Sequence, residues 1–154
     1  MRAARWLILL ALTAGACSAP SYQEVQAELP APALGTGRVV FLGDNYGWYG
    51  LLEGVSWKPV LAVDGDVLDV GHGNGIYFVA DLPVGNRRVS VDGVDYLTVF
   101  VEPKATKYVE MLRLEEENEG FSLRKANFRM KLTRLDEAHA QARLASLEYI
   151  GVAE

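Results

Sequence analysis

The sequence contains only one cysteine, Cys17, and two histidines, His72 and His139. A single thiol cannot form an intramolecular disulfide, and a free exposed thiol is a liability in an oxidising compartment. The motifs G-x-S-x-G, H-E-x-x-H and C-x-x-C are absent, so no nucleophile is visibly paired with a base. These absences predict a protein without catalytic residues, metal ligands or a cofactor, and they place an enzyme third among the functional hypotheses.

Basic residues are also few. The chain carries 15 Lys and Arg against 20 Asp and Glu, which gives a net charge of −5. A nucleic-acid partner is not expected, because a phosphate backbone requires a basic footprint. An acidic chain is also mildly repelled by anionic lipid, so membrane attachment is expected to depend on an anchor.

The apolar run at residues 6–12 is too short to span a bilayer. It follows Arg2 and Arg5 and is closed by the small residues Ala14-Gly15-Ala16, which is the organisation of a signal peptide. The closing residues fit the A-x-A pattern of signal peptidase, and together with Cys17 they also resemble the lipobox of bacterial lipoproteins. Both readings predict a signal peptide over residues 1–16 and a mature chain that begins at Cys17.

Cys17 therefore stands where the cysteine of such a lipoprotein receives a diacylglycerol, and we predict its lipidation. The alternative is a secreted protein with an N-terminal thiol. More than one acyl chain, at about 0.8 kcal/mol per buried CH₂, holds a protein firmly on a membrane. Ser18 is not the acidic residue that favours inner-membrane retention in similar lipoproteins, so the expected location is the cell envelope, on the outer membrane facing the periplasm.

Residues 17–36 have the composition of a lipid-anchored flexible tether. Pro20, Pro30 and Pro32 are surrounded by small residues, and no apolar periodicity is sustained. A linker of this kind spans about 25 to 60 Å. The folded domain is then expected to occupy residues 37–154 and to stand clear of the membrane.

After the tether, short apolar runs alternate with turn signals, which is typical of an all-β sandwich or barrel. The dipeptides Asp64-Gly65 and Asp92-Gly93 suit the positive φ angles of tight hairpins. The pattern predicts a mainly β fold, a two-sheet antiparallel sandwich of about seven to eight strands. The predicted strands are residues 39–42, 60–63, 67–70, 76–82, 88–91, 96–101, 106–114 and 121–133.

One C-terminal helix is predicted from residue 135 to about 148. Thr133 to Asp136 has the sequence of a capping box. Two apolar stripes follow at helical spacing. We expect the stripe of small residues to pack on a sheet, and its members are Leu135, Ala138, Ala142, Ala145 and Tyr149. The second stripe is Ala140, Leu144 and Leu147, expected to be buried as well, with a partner contact as the alternative.

Several turn and strand motifs carry a family resemblance over roughly residues 37–114. They are Pro59-Val60-Leu61-Ala62-Val63-Asp64-Gly65, Gly75-Ile76-Tyr77-Phe78, Leu82-Pro83-Val84-Gly85 and Tyr108-Val109. This pattern resembles a bacterial and phage domain family of unknown function with many lipoprotein members, and it is similar to PEGA-type and transthyretin-like surface β-sandwich modules. The resemblance implies a small envelope β-sandwich and transfers no catalytic residue.

An aromatic loop is the strongest candidate binding site. Tyr46, Trp48, Tyr49 and Trp57 are interleaved with Gly, Asn and Ser, as in binding loops, where large rings give contact area at low entropic cost. These rings are candidates for contact with a partner protein or for stacking on sugars. The competing interpretation is that the rings close one end of the sandwich core.

Other polar clusters are interpreted as structural. His72 lies in a glycine-rich turn and His139 on a helix surface, without a motif around either. Residues 115–119 are acidic but lack the spacing of calcium ligands. A basic zone is expected to pair across strands with nearby glutamates, and it comprises Arg124, Lys125, Arg129, Lys131 and Arg134.

The sequence thus predicts a non-catalytic binding or assembly module, anchored to a membrane by lipid, with an envelope protein or a glycan as its partner. A glycan or peptidoglycan binder that uses the aromatic loop is the second hypothesis. An uncharacterised envelope enzyme is the third.

Overall fold

The computed structural model describes residues 20–43, 60–68, 75–115 and 128–153. Over these ranges the chain forms nine strands and two helices. In chain order they are α1 (Tyr22–Glu28), β1 (Thr36–Gly43), β2 (Leu61–Val63), β3 (Asp66–Val67), β4 (Ile76–Pro83), β5 (Gly85–Val91), β6 (Asp95–Val101), β7 (Thr106–Glu115), β8 (Phe128–Leu135), α2 (Glu137–Leu144) and β9 (Glu148–Val152).

The strands form two sheets, which confirms the predicted mainly β sandwich. Sheet A has five strands in the order β8-β7-β1-β4-β9, and sheet B has four in the order β3-β2-β5-β6. Both Asp-Gly turns adopt positive φ angles as expected, 55° and 101° at Asp64 and Gly65 and 52° and 65° at Asp92 and Gly93.

Sheet A is mixed, whereas the sequence predicts antiparallel pairing throughout. Strand β1 runs parallel to β7 and β4 runs parallel to β9, while the other pairs are antiparallel. Parallel neighbours need long connections, and both pairs have them. Strands β2 to β6 lie between β1 and β7 in the chain, and α2 precedes β9.

The two sheets are joined at one end of the sandwich. Val84 alone separates β4 from β5, and residues 102–105 connect β6 to β7 at the same end. Glycine is required here at Gly37, because a Cβ on this residue would lie 2.2 Å from the Glu102 carbonyl oxygen. At the opposite end of the sandwich lie the residues at which the described ranges stop and resume. They are Gly43 and Val60, Leu68 and Gly75, and Glu115 and Phe128.

An aliphatic core fills the space between the sheets. Alternate residues of each strand point into it, as the period of two requires. Phe41 of β1 stacks on Phe78 of β4 with ring centroids 5.1 Å apart. The fully buried partners from sheet B include Val89, Val91 and Val101.

A second apolar layer covers the outer face of sheet A. Val40 and Leu42 of β1 and Tyr77 of β4 are fully buried on this side, against α1 and α2. Both faces of β1 and β4 are therefore buried, which explains why residues 39–42 and 76–80 are continuously apolar rather than alternating. The domain has three layers, namely helices, sheet A and sheet B.

Helix α1 lies within residues 17–36, the segment that the sequence predicts as a flexible tether, and residues 22–28 are helical in the structure. Ser21 and Glu24 form a reciprocal capping box at its N-terminus. Tyr22 and Val25, three residues apart on one face, are buried against sheet A. Seven residues carry too little apolar periodicity for recognition, and the packing against the sheet supplies the stability that an isolated short helix lacks.

Helix α2 is shorter than predicted. It packs on sheet A through the second predicted stripe and not through the stripe of small residues. Asp136 is its N-cap, whereas Thr133 remains in β8. Ala140, Leu144 and Leu147 are buried on sheet A, while Ala138, Ala142 and Ala145 are exposed. Larger side chains fill the space above the sheet better than alanines do, so their stripe is the one that packs.

Strand β9 was not predicted as a strand. It follows α2 after a three-residue turn and pairs with β4 through Ile76–Glu148 and Tyr77–Tyr149. The predicted helix extended over its first residue. Ile150 and Ala153 pack against the inner core, so this edge of sheet A helps to close the sandwich.

Side chains connect β6 and β8, which are edge strands of the two sheets among the described residues. The Leu132 N–H donates to the Asp95 carboxylate at 2.6 Å, and the Arg134 guanidinium donates to the Thr98 carbonyl. Arg134 belongs to the basic zone that was expected to pair with glutamates, and its described contact is with backbone instead. These bonds satisfy backbone groups that would otherwise recruit another strand.

Because α1 is packed on sheet A, we expect a chain that begins at the sequence-derived boundary, Gly37, to lack part of the folded unit. A chain beginning at Gly37 is expected to be about 2 to 5 kcal/mol less stable than one beginning at Pro20, because Val40, Tyr77 and Tyr108 lose their apolar cover. Urea unfolding of the two chains measures the difference.

Point variants in the full chain provide the matched control. Val25→Ser should destabilise the domain by about 1 to 3 kcal/mol, and Ala27→Ser on the exposed face of α1 by less than about 0.5 kcal/mol. Equal stability of the Gly37 and Pro20 chains would contradict the assignment of α1 to the domain.

Candidate binding surface

The candidate residues from the sequence lie outside the described part of the chain. This holds for Cys17, for His72 and for the aromatic loop of Tyr46, Trp48, Tyr49 and Trp57. The ends of the loop's segment, Gly43 and Val60, lie at the end of the sandwich opposite the sheet-joining connections. Their roles therefore stay predictions.

The most exposed aromatic surface in the described residues is the outer face of sheet B. Strand β6 alternates strictly, with Val99 and Val101 buried in the core and Tyr96 and Phe100 pointing outward. The two outward rings are 50% and 56% exposed. Thr98 lies between them on the same face, so Tyr96, Thr98 and Phe100 form an outward row along one strand.

Cross-strand neighbours extend this row into a surface. Tyr96 is opposite Ser90 of β5, which is opposite Ala62 of β2, which in turn is opposite the exposed Val67 of β3. We call the outward residues the sheet B face, comprising Ala62, Val67, Asn86, Arg88, Ser90, Tyr96, Thr98 and Phe100. No helix among the described elements covers it, in contrast to the outer face of sheet A.

Arg88 gives the sheet B face its positive charge. Its guanidinium carbon lies 4.0 Å from the centroid of the Tyr96 ring, a cation–π contact. The Tyr96 hydroxyl donates to the Gly93 carbonyl at 2.8 Å. Both contacts restrict the rotamers of the ring and the guanidinium, so they are partly ordered before any partner arrives.

The β2–β3 hairpin is fixed to the adjacent strand β5 by Asp64. Its carboxylate accepts the Arg88 N–H at 2.8 Å and an Arg87 guanidinium N–H at 2.9 Å. These donors, the backbone N–H first, hold the pKa of Asp64 below its usual range. The carboxylate therefore stays ionised at neutral pH and supports the pairing of β2 with β5 at this corner.

A polar cleft of about 380 Å³ lies on the other side of the domain, beside the N-terminus of α2. His139 is near it, with its Nδ1 2.6 Å from the Asp136 carboxylate, but its side chain is 77% exposed. The His139 N–H, foremost among the donors, lowers the Asp136 pKa. This pair acts as the helix cap. The cleft is lined by Gln26, Thr106, Lys107, Tyr108, Leu135, Asp136 and Glu137.

A tyrosine cluster lies where the helical layer meets sheet A. The Tyr22 ring contacts Tyr77 and Tyr108 edge-on, and Tyr77 also contacts Tyr149. Burial raises the pKa of Tyr77 to about 12 and that of Tyr22 well above its usual range. The Tyr77 hydroxyl is buried without a hydrogen-bond partner among the described residues.

No group of three or more His, Cys, Asp and Glu side chains among the described residues is placed to hold a metal ion. No helix in these ranges is both long and apolar enough to cross a membrane.

No protein-family model, curated protein or solved structure matches this chain. The family resemblance drawn from the turn motifs therefore remains an expectation. The functional interpretation is therefore based on the fold and on its surface residues.

The sequence contains a signal for the sheet B face in the spacing of two aromatic residues. Tyr96 and Phe100 are separated by four residues in a predicted strand, and an even separation places both side chains on one face. Val99 and Val101 mark the opposite face as the core side. The outward face of β6 can therefore be recognised from the sequence once the core side of the strand is known.

The tyrosine cluster predicts loss of stability at alkaline pH. Tyrosines in the unfolded chain ionise near pH 10.0, whereas the Tyr77 pKa in the folded domain is about 12. The folded state therefore binds more protons over this window, and the free energy of unfolding must fall as the pH rises from 10 towards 12. Urea unfolding across this range measures the slope.

Tyr77→Phe is expected to reduce that slope and to leave stability at neutral pH unchanged or higher, because it removes an unpartnered buried hydroxyl. Tyr96→Phe, which removes the hydroxyl of a half-exposed ring, serves as the control. An unaltered slope in Tyr77→Phe would show that Tyr77 ionises freely in the folded domain.

Proposed function

We propose that this protein is a membrane-anchored lipoprotein of the bacterial cell envelope, and that its β-sandwich is a non-catalytic binding or assembly module. The observation that carries the anchoring is the position of the only cysteine, directly after a short apolar segment and the residues Ala14-Gly15-Ala16. Acylation at Cys17 would attach the mature chain to the outer membrane, with the domain in the periplasm.

The sheet B face supports the binding role. Soluble domains rarely expose a contiguous patch of aromatic and aliphatic side chains unless the patch binds a partner. Tyr96 and Phe100 supply large contact areas, and aromatic and arginine residues are the types that dominate binding energy at interfaces. The face is therefore our candidate contact surface for a partner.

We assign a protein rather than a lipid or nucleic acid to this face. Arg88 is its charged centre, between two exposed rings, so a complementary surface offers a carboxylate surrounded by apolar side chains. Asn86 and Thr98 beside it provide hydrogen-bonding groups at the rim. The partner we propose is an envelope protein with an acidic and apolar patch.

A glycan is the second candidate. It rests on Tyr46, Trp48, Tyr49 and Trp57, which the sequence places in a loop with small polar residues. Sugar rings stack on such side chains, and binding of peptidoglycan fragments that is lost in Trp48→Ala would favour this function.

The anchoring proposal predicts that Cys17→Ala releases the protein from membranes. After fractionation of cells expressing the full chain, the wild type should sediment with the membranes and the variant should not, since the acyl chains supply the binding free energy. Ser18→Ala is the matched control and should remain bound.

Mass spectrometry of the mature wild-type N-terminus provides the second readout. We expect Cys17 as the first residue, carrying a diacylglycerol. Membrane retention of Cys17→Ala, or a mature chain with an unmodified thiol, would remove the lipoprotein from consideration.

The binding proposal predicts that Tyr96→Ser and Phe100→Ser abolish capture of a partner from solubilised envelopes without unfolding the domain. Each loses apolar contact at the interface centre, where such truncations cost about 2 kcal/mol or more, a roughly thirtyfold loss of affinity. Leu34→Ser, at a residue that is 96% exposed and lies outside the sheet B face, is the matched control.

Capture is informative only when it depends on this face. A protein retained by the wild type and by Leu34→Ser, lost from both aromatic variants, and weakened in Arg88→Gln would support the proposal. Equal recovery of every protein by all four variants would rule out the sheet B face as the binding surface.

A further inference from the structure

Helix α1 limits how far the domain can move from its anchor. Only Ser18, Ala19, Pro20 and Ser21 separate Cys17 from Tyr22, and Tyr22 is buried against Tyr77 and Tyr108 of sheet A. Fully extended, the chain from Cys17 to Tyr22 spans about 17 Å. The reach is therefore well below the range of a free linker over residues 17–36.

The attachment point lies on one side of a three-layer domain. Tyr22 belongs to the helical layer, outside sheet A. Sheet B lies about 10 Å beyond sheet A, and the helix itself has a diameter of about 10 Å. The path from Tyr22 around the sandwich to the sheet B face is thus longer than about 20 Å, which the arm cannot cover.

From this geometry we infer that the docked α1 holds the helical layer next to the bilayer and turns the sheet B face away from it. The inference rests on the proposed lipid at Cys17. It identifies the bilayer that holds the anchor as the neighbour of α1 and α2. The same bilayer then cannot contact the surface formed by Tyr96 and Phe100. The exposure of these two rings alone would be compatible with such a contact.

The arm, rather than charge, determines this orientation. Glu24 and Glu28 of α1 and Glu137 of α2 are exposed on the helical layer. Carboxylates do not attract anionic headgroups, so this layer has no electrostatic reason to approach the membrane. Lengthening the arm should therefore release the orientation.

The inference is tested with the lipidated full-length product, purified from membranes and reconstituted in phosphatidylethanolamine and phosphatidylglycerol vesicles. An acylated Cys17 has no free thiol, so an introduced cysteine is the only labelling site. A nitroxide is placed at Ala142→Cys on α2 or at Thr98→Cys on the sheet B face, both exposed positions. Its relaxation by Ni²⁺-chelating lipids reports the distance to the bilayer surface.

The expected relaxation is several-fold greater at Ala142→Cys than at Thr98→Cys. A twenty-residue Gly-Ser insertion after Ser18, which adds about 25 Å of root-mean-square reach, should make the two values nearly equal. The double variant Tyr22→Ser, Val25→Ser, which frees α1, should do the same. The matched control, Gln23→Ser with Ala27→Ser on the exposed face of α1, should keep the wild-type difference.

Two failures are distinguishable. A mature chain without acyl groups, established by mass before reconstitution, would overturn the proposed function and the inference with it. An acylated chain with equal relaxation at the two positions, or with more at Thr98→Cys, would overturn the inference alone.

Discussion

The structure depends on the burial of sheet A on both of its faces. Strand β1 presents Val39 and Phe41 to sheet B and Val40 and Leu42 to the helices, and none of the four is exposed. Each such side chain contributes about 1.5 to 3 kcal/mol when it is removed from water. A sandwich of two sheets covers only one of these faces, so a third layer is required, and α1 and α2 provide it.

This requirement links the fold to the proposed function. The outer face of sheet A carries buried apolar side chains and is covered from within the chain, whereas the sheet B face keeps two aromatic rings and an arginine exposed. The same helix that covers sheet A also carries the N-terminal arm. One apolar contact, Tyr22 and Val25 on sheet A, therefore both completes the core and shortens the connection to the proposed anchor.

Local signals were enough for most of the strands. The Asp-Gly turns, the alternation along β6 and the positions of β4, β5 and β7 follow from turn chemistry and period, and the structure has them. Helix α1, the packing stripe of α2 and strand β9 were missed because each depends on what sheet A offers as a surface. The continuous apolar residues 39–42 and 76–80 were the available signal, since uninterrupted runs indicate strands buried on both sides. For the candidate site, the even spacing of Tyr96 and Phe100 identifies a shared face, but only the absence of a covering helix in the described residues distinguishes that face from sheet A.

Amide hydrogen exchange of α1 in the mature chain tests the central claim, that residues 22–28 belong to the folded domain, most directly. The amides of Val25 and Leu29 donate to the carbonyls of Ser21 and Val25, both at 3.0 Å. A helix docked on sheet A predicts that these amides are protected to a degree approaching that of β1. Exchange at the rate of an unfolded peptide would contradict it and would restore a long flexible tether.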